Sequence, residues 1–552
     1  MTQLLSALNL NKLKGYADWK LLLFLLLFLN VKLAVKVPAI AIIYLLQFDF
    51  KFGFKLKNSR LPLFYPLIII VAMVGFVING NYFNTNYNLA FITGIGFWLI
   101  CILAIHQVKL SVEKNDTEVI HRTIFLFFII NAGVSLLNLA FIVLETHALN
   151  PYTYQGQYQK YFISTGDFVK GITFDTSTTN AVLNTFGVIY FLTKKNTAMT
   201  LVCMATLLLT GSNFTNIFTL IILIVLFIFN STRDQKSVIV ICLAFLVVFM
   251  AKVSPQNNNY VVNTIKSIFY KKQVISPWPT DNHIPITQRA DSTLNFEEKR
   301  VKFATLYLDS LAALPINQIK REPLPPNVLA TPTGKIILPG PDLNGPSYQW
   351  LKTTPPEQQQ LADFVQTHKA KLPISSNSHW GTVPGKVTGL LQTLNFLKQH
   401  PAKIIAGDGV GNFSSKLAFR ATGLKFTGGY PQKHIYINPD FLTNHLDIYL
   451  NFFSKGASAH SLTNSPFSVY DQLLAEYGLA GLLALLVFYL GFFAKHYLTL
   501  TYGIPIIALV MCIFFIDYWF EQFSVLIFFE LLLFINIKEG LELLSPKLPI
   551  TK

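Results

Sequence analysis

Three glycines, Gly407, Gly409 and Gly411, alternate through the stretch PAKIIAGDGVGNF at residues 401–413. Glycine adopts backbone angles that other residues avoid, so such a run makes a sharp turn. Its successive N–H groups also form a ready cradle for an anion such as phosphate. No Gly-Lys-Ser/Thr follows, so the turn is not a P-loop. Two roles stay open: a turn the fold needs, and direct phosphate contact through the N–H groups. The segment before it runs helix-like from Lys386 to His400-Pro401. A similar segment runs from Arg300 to Pro315, and both begin with a cation followed by Val. A cation at a helix start opposes the helix dipole, so local stability does not explain Arg300 or Lys386. An anion bound among the free N–H groups would. Glu476, at the head of a later apolar run, is a carboxylate where the dipole favours one.

These residues sit in a long polar stretch, 253–470, that reads in three parts. Residues 253–321 hold one amphipathic helix near 296–313. Residues 322–384 are rich in Pro, Gly, Gln and Thr and read as an irregular insertion. Residues 385–470 hold the second helix and the glycine turn. In that helix Val387, Leu390, Leu391, Leu394 and Leu397 fall on one stripe, the expected buried face. The stretch carries more Lys and Arg than Asp and Glu, which suits anionic headgroups or an anionic substrate at the membrane face.

The stretch interrupts a chain that is 52% hydrophobic and only 13% charged, about half the charge of an ordinary soluble protein. Apolar runs fall at about 18–35, 37–50, 61–79, 88–106, 121–145, 178–193, 197–211, 214–230, 236–252, 471–494, 498–517 and 521–537. They predict an all-α polytopic membrane protein with about twelve spans. The expected domains are a membrane domain at 1–252, the loop domain at 253–470, three C-terminal spans at 471–537 and a tail at 538–552. The first apolar run shows no small-residue cleavage site and reads as a retained helix. Lys51, Lys55, Lys57, Arg60, Lys109, Lys114, Arg122, Lys194, Lys195, Arg233 and Lys236 crowd alternate loops. The positive-inside rule then puts both termini in the cytoplasm and 253–470 outside. Lys32 and Lys36, between the first two runs, oppose that reading. All four cysteines, Cys101, Cys203, Cys242 and Cys512, fall in apolar runs, so no disulfide framework is expected in the loop. The loop also lacks Asp-x-Asp or paired-His spacing, and no metal or other cofactor is expected.

The basic residue, the amphipathic helix ending in His-Pro, the Gly-x-Gly-x-Gly-Asn-Phe turn and the run LLAEYGLAGLL (Leu473 to Leu483) come in a fixed order. That order resembles the O-antigen ligase and O-antigen polymerase superfamily. Two further echoes are FDTSTTNAVL at 174–183, with Asn180, and LLLTGSN at 207–213, with Ser212. The chain departs from the family pattern at Lys386 and Asn213, where the family usually has Arg. It departs again at Phe467, where ligases usually place a His; this tilts the reading toward a polymerase.

The resemblance implies a GT-C-like fold in a bacterial inner membrane with a periplasmic loop. It implies transfer of a glycan from a polyprenyl-diphosphate-linked oligosaccharide to an acceptor hydroxyl on a glycan, on lipid A-core or on a protein. Membrane lipids are the surroundings, and no nucleic acid is expected. With no ATP outside the membrane, the carrier diphosphate is the leaving group. Its developing charge needs cations, and the candidates are Lys386, Arg300 and Arg289, then Arg420 and Lys416. Candidate bases are His460, then His445; Glu476 is a candidate for orienting the acceptor, and His400 reads as a helix-end group. Other readings stay open: an O-oligosaccharyltransferase acting on exported proteins, a secondary transporter or flippase of a lipid-linked or anionic solute, and a non-catalytic envelope scaffold.

Overall fold

The computed structural model describes residues 15–30, 32–153, 169–174, 177–229, 231–254, 329–330, 336–337, 385–423, 430–445, 448–449 and 465–544. Arg289, Arg300, His460 and the helix expected near 296–313 lie outside the described residues, as does nearly all of 322–384. Among the described residues the only strands are β1 (Leu329–Ala330) and β2 (Ile336–Ile337), paired antiparallel within that insertion.

Every apolar run forms a helix. The first nine are α1 (Trp19–Phe28), α2 (Leu33–Leu46), α3 (Phe64–Ile78), α4 (Thr85–Lys114), α5 (Thr117–Thr146), α6 (Ser177–Thr193), α7 (Thr197–Leu209), α8 (Asn213–Phe229) and α9 (Arg233–Val248). The loop lobe contributes α10 (Gly385–Gln399), α11 (Lys403–Ala406), α12 (Lys416–Ala421) and α13 (Pro439–Asn444). Then follow α14 (Val469–Leu483), α15 (Gly503–Ile513), α16 (Trp519–Gln522) and α17 (Ser524–Leu544). Among the described residues four helices are long and apolar enough to cross a membrane: α4, α5, α9 extended to Val253, and α14 extended to Ala494. The chain is thus a helical, membrane-embedded protein.

Local chemistry sets the ends. The Asp18 carboxylate caps α1 by accepting from the N–H of Lys20 and Leu21, both at 3.1 Å. Thr232 and Gln235 close a capping box on α9. α6 and α17 are buried on almost every side and form the centre of the bundle. Some of the polar groups inside form a paired network, which lowers the cost of burying them. Asn131 donates to Asn180 Oδ1 at 2.9 Å, and Asn180 donates to Ser135 Oγ at 3.0 Å and to the Val169 carbonyl at 3.1 Å. Lys36 belongs to this interior and is no loop cation. It is 1% exposed and donates to the Phe28 carbonyl at 2.6 Å and Ser524 Oγ at 2.9 Å. Lys32, the other cation set against the loop-charge pattern, is exposed.

Candidate functional site

The glycine turn docks on the first half of α14. Gly407 and Gly478 both have positive φ, at 73° and 66°, and each lies against the other's segment. A Cβ at Gly407 would overlap the backbone of Glu476, and one at Gly478 would overlap the Ile405 carbonyl. The Asp408 N–H donates to the Ala475 carbonyl at 2.9 Å and the Gly409 N–H to the Glu476 carbonyl at 3.0 Å. This is a strand-like seam made against a helix, and Gly478 allows it by leaving helical geometry within α14.

The occupant of the cradle is Glu476. Its Oε2 accepts from the Gly411 N–H at 2.7 Å. Its Oε1 accepts from the N–H of Phe413 at 3.2 Å, Ser414 at 3.1 Å and Ser415 at 2.9 Å. Glu476 is 1% exposed. The Gly407 N–H goes to the Lys403 carbonyl at 2.8 Å, so all three glycine N–H groups are used within the chain. The reading in which they touch phosphate is therefore corrected: an internal carboxylate already holds the place. Glu476 is likewise not an interfacial helix-start group, since α14 begins earlier, at Val469, under a Ser468 cap.

Lys386 sits at the start of α10, as expected, but it faces the chain. Its ammonium donates to Ser465 Oγ at 2.9 Å, to the Ile516 carbonyl at 2.9 Å and to the Phe467 carbonyl. An ammonium has three N–H donors, and all three are engaged. Burial pushes this amine down to about 7, against the pull of Asp517 and Asp471. Lys386 therefore ties α10 to the segments before α14 and after α15. Phe467 lies beside it, its ring 5.2 Å from that of Tyr518.

The buried face of α10 only partly coincides with the apolar stripe: of that stripe Leu397 is buried and Leu390 and Leu391 are partly buried. Thr388, Gly389, Gln392, Thr393, Phe396 and Leu397 face inward, while Val387 and Leu394 are exposed. The reason is Asp471, which needs polar partners: it accepts from Thr393 Oγ1 at 2.5 Å and pairs with His445 Nε2 at 3.0 Å. His445 is fully buried, with its ring 4.7 Å from Phe413 and its Nδ1 without a partner. His400 is a helix-end group as expected, with Nδ1 at 3.0 Å from the Phe396 carbonyl. Lys403 bridges Asp408 and Asp440.

Below the turn lies a cavity of about 10 Å³, room for one water molecule. Trp98, Gln472, Glu476, Tyr477, Phe520 and Glu521 are among the residues lining it. Lys416 and Arg420 stand on α12 beside it, the Arg420 guanidinium 6.0 Å from the centre of the Phe97 ring. Glu521 is hidden in the sequence because it opens an apolar run. The signal was there, an acid amid aromatics in DYWFEQF. No family model, curated protein or solved structure matches the chain.

Proposed function

We propose that the chain is a membrane glycosyltransferase that moves a glycan from a polyprenyl diphosphate carrier to an acceptor hydroxyl at the loop-lobe end of the bundle. One observation carries this reading. The pieces of the ordered sequence signature are far apart along the chain yet meet at one junction: Lys386 bonds the Phe467 carbonyl, and the glycine turn encloses Glu476. In this reading the chain crosses a bacterial inner membrane about twelve times, with both termini cytoplasmic and the loop lobe periplasmic.

The roles follow from where the groups lie. Lys386 and Glu476 position the turn and the head of α14. The diphosphate falls to Lys416 and Arg420 beside the cavity; Arg289 and Arg300, expected from the sequence, lie outside the described residues. Cations aimed at the leaving diphosphate offset charge that builds as the glycosyl bond breaks. Losing one such stabiliser costs about a hundredfold in rate.

Purified protein in liposomes, given a polyprenyl-diphosphate oligosaccharide, is expected to release polyprenyl diphosphate without ATP. Movement of the lipid-linked glycan across the membrane with no bond cleaved would overturn the reading. A deletion strain identifies the acceptor. Loss of the glycan ladder with one repeat kept marks a polymerase, loss of every repeat on the lipid core a ligase, and under-glycosylated exported proteins an oligosaccharyltransferase.

A further inference from the structure

Two carboxylates line the cavity beneath the turn, and they differ in what is left over. Glu476 has both oxygens engaged by backbone donors, three on Oε1 and one on Oε2, and these bonds hold the turn. Glu521 is different. Its Oε1 accepts from Gln472 Nε2 at 2.8 Å, the Leu417 N–H lies close to the carboxylate, and its Oε2 is enclosed with no hydrogen-bond partner. Gln472, 3% exposed, also has an unpartnered oxygen, Oε1. Both residues border a gap the size of one hydroxyl group or water. Such unsatisfied acceptors are costly unless something donates to them.

The surroundings suit a proton acceptor. Lys416 and Arg420 face Glu521 from α12, and Glu476 faces it from α14. Tyr449, Tyr477 and Tyr518 also lie within reach of its charge. Phe520 and Trp98, both buried and with rings 5.1 Å apart, form an apolar wall of the gap. Phe467, at the place where the resemblance to ligases would put a His, packs on Tyr449 and Tyr518 and has no group to take a proton.

We propose that Glu521 is the catalytic base that deprotonates the acceptor hydroxyl, with Gln472 as the positioning residue that turns its free oxygen toward the gap. The inference rests on the transferase reading. In the step, the acceptor oxygen bonds to the anomeric carbon as the bond from that carbon to the diphosphate oxygen breaks. The bonding pair leaves with the polyprenyl diphosphate, and the hydroxyl proton passes to Glu521 Oε2. Lys416 and Arg420 face the departing charge.

The test uses the full chain in liposomes with a polyprenyl-diphosphate oligosaccharide and its acceptor. E521Q is expected to lower kcat about 100-fold with donor KM unchanged, and to remove the acidic limb of the pH–rate profile. E521A is expected to regain rate on addition of formate, which supplies the missing carboxylate. Q472A should shift the acidic limb while keeping more rate than E521Q. An E521Q enzyme within threefold of wild type at every pH overturns the inference while leaving the transferase reading standing. So does an E521A enzyme that formate does not restore while its donor binding and melting temperature match wild type. Should E521Q fail to fold, formate rescue of E521A decides the matter by itself. A wild-type protein that releases no carrier diphosphate overturns the transferase reading, and the inference with it.

Discussion

Glu476 and Glu539 stand near opposite ends of the bundle and are held in opposite ways. Glu476 is enclosed by four backbone N–H groups. Glu539 is met by side chains: His121 Nε2 at 2.5 Å, Lys194, and Asn536 Nδ2 at 3.3 Å, and its own side chain is 13% exposed. Backbone donors are fixed by chain conformation, so the Glu476 site depends on glycines and on a particular path of the chain. Side-chain donors are long and partly solvated, so the Glu539 site can rearrange when one member is lost. The first arrangement builds a rigid platform; the second is a surface fastening.

That contrast is open to measurement by thermal unfolding of the detergent-solubilised protein. The largest effect is expected for E476A. It strands four buried N–H groups, each costing about 1–3 kcal/mol, so the loss should reach about 4 kcal/mol or prevent accumulation. A loss below about 1 kcal/mol would erase the distinction. G478A comes next at about 2–3 kcal/mol, because its positive φ and its contact with the Ile405 carbonyl both resist a side chain.

Lys386 is the third case. Its folded-state value lies near 7, below the ordinary lysine value, so between about pH 7 and 10 the unfolded chain binds more protons than the folded one. Stability should therefore rise with pH through that window, and K386M should flatten the rise. A rise that persists in K386M assigns it to other groups. E539Q is expected to be smallest, at most about 1 kcal/mol and diminished by salt.

The helices were legible because apolar runs are local. Their ends were less so. α4 runs on to Lys114 with buried His106, Gln107 and Ser111, since a helix can leave the apolar layer and still pack on neighbours. The run at 521–537 breaks at Phe523, which is left-handed, so Glu521 belongs to a separate turn and α17 begins at Ser524. In the site, the sharp turn was readable from glycine spacing, and its occupant was not. Gly411 and Glu476 meet across 65 positions, and no local rule pairs them. The inward face of α10 was misread for a related reason. Hydrophobic periodicity marks the face that avoids water, whereas Asp471 on another helix drew Thr393 inward and left Val387 and Leu394 outside.

The outward stripe of α10 has a practical consequence. Val387, Leu394 and, on α11, Ile405 face away from the protein, as side chains do when they are dipped in lipid. A fragment cut at residues 385–470 would bring that greasy side into buffer and would leave behind the carboxylate that shapes its turn. It should clump rather than dissolve. The lobe is the upper storey of the bundle, and any chemistry it supports has to be studied with the floor still in place.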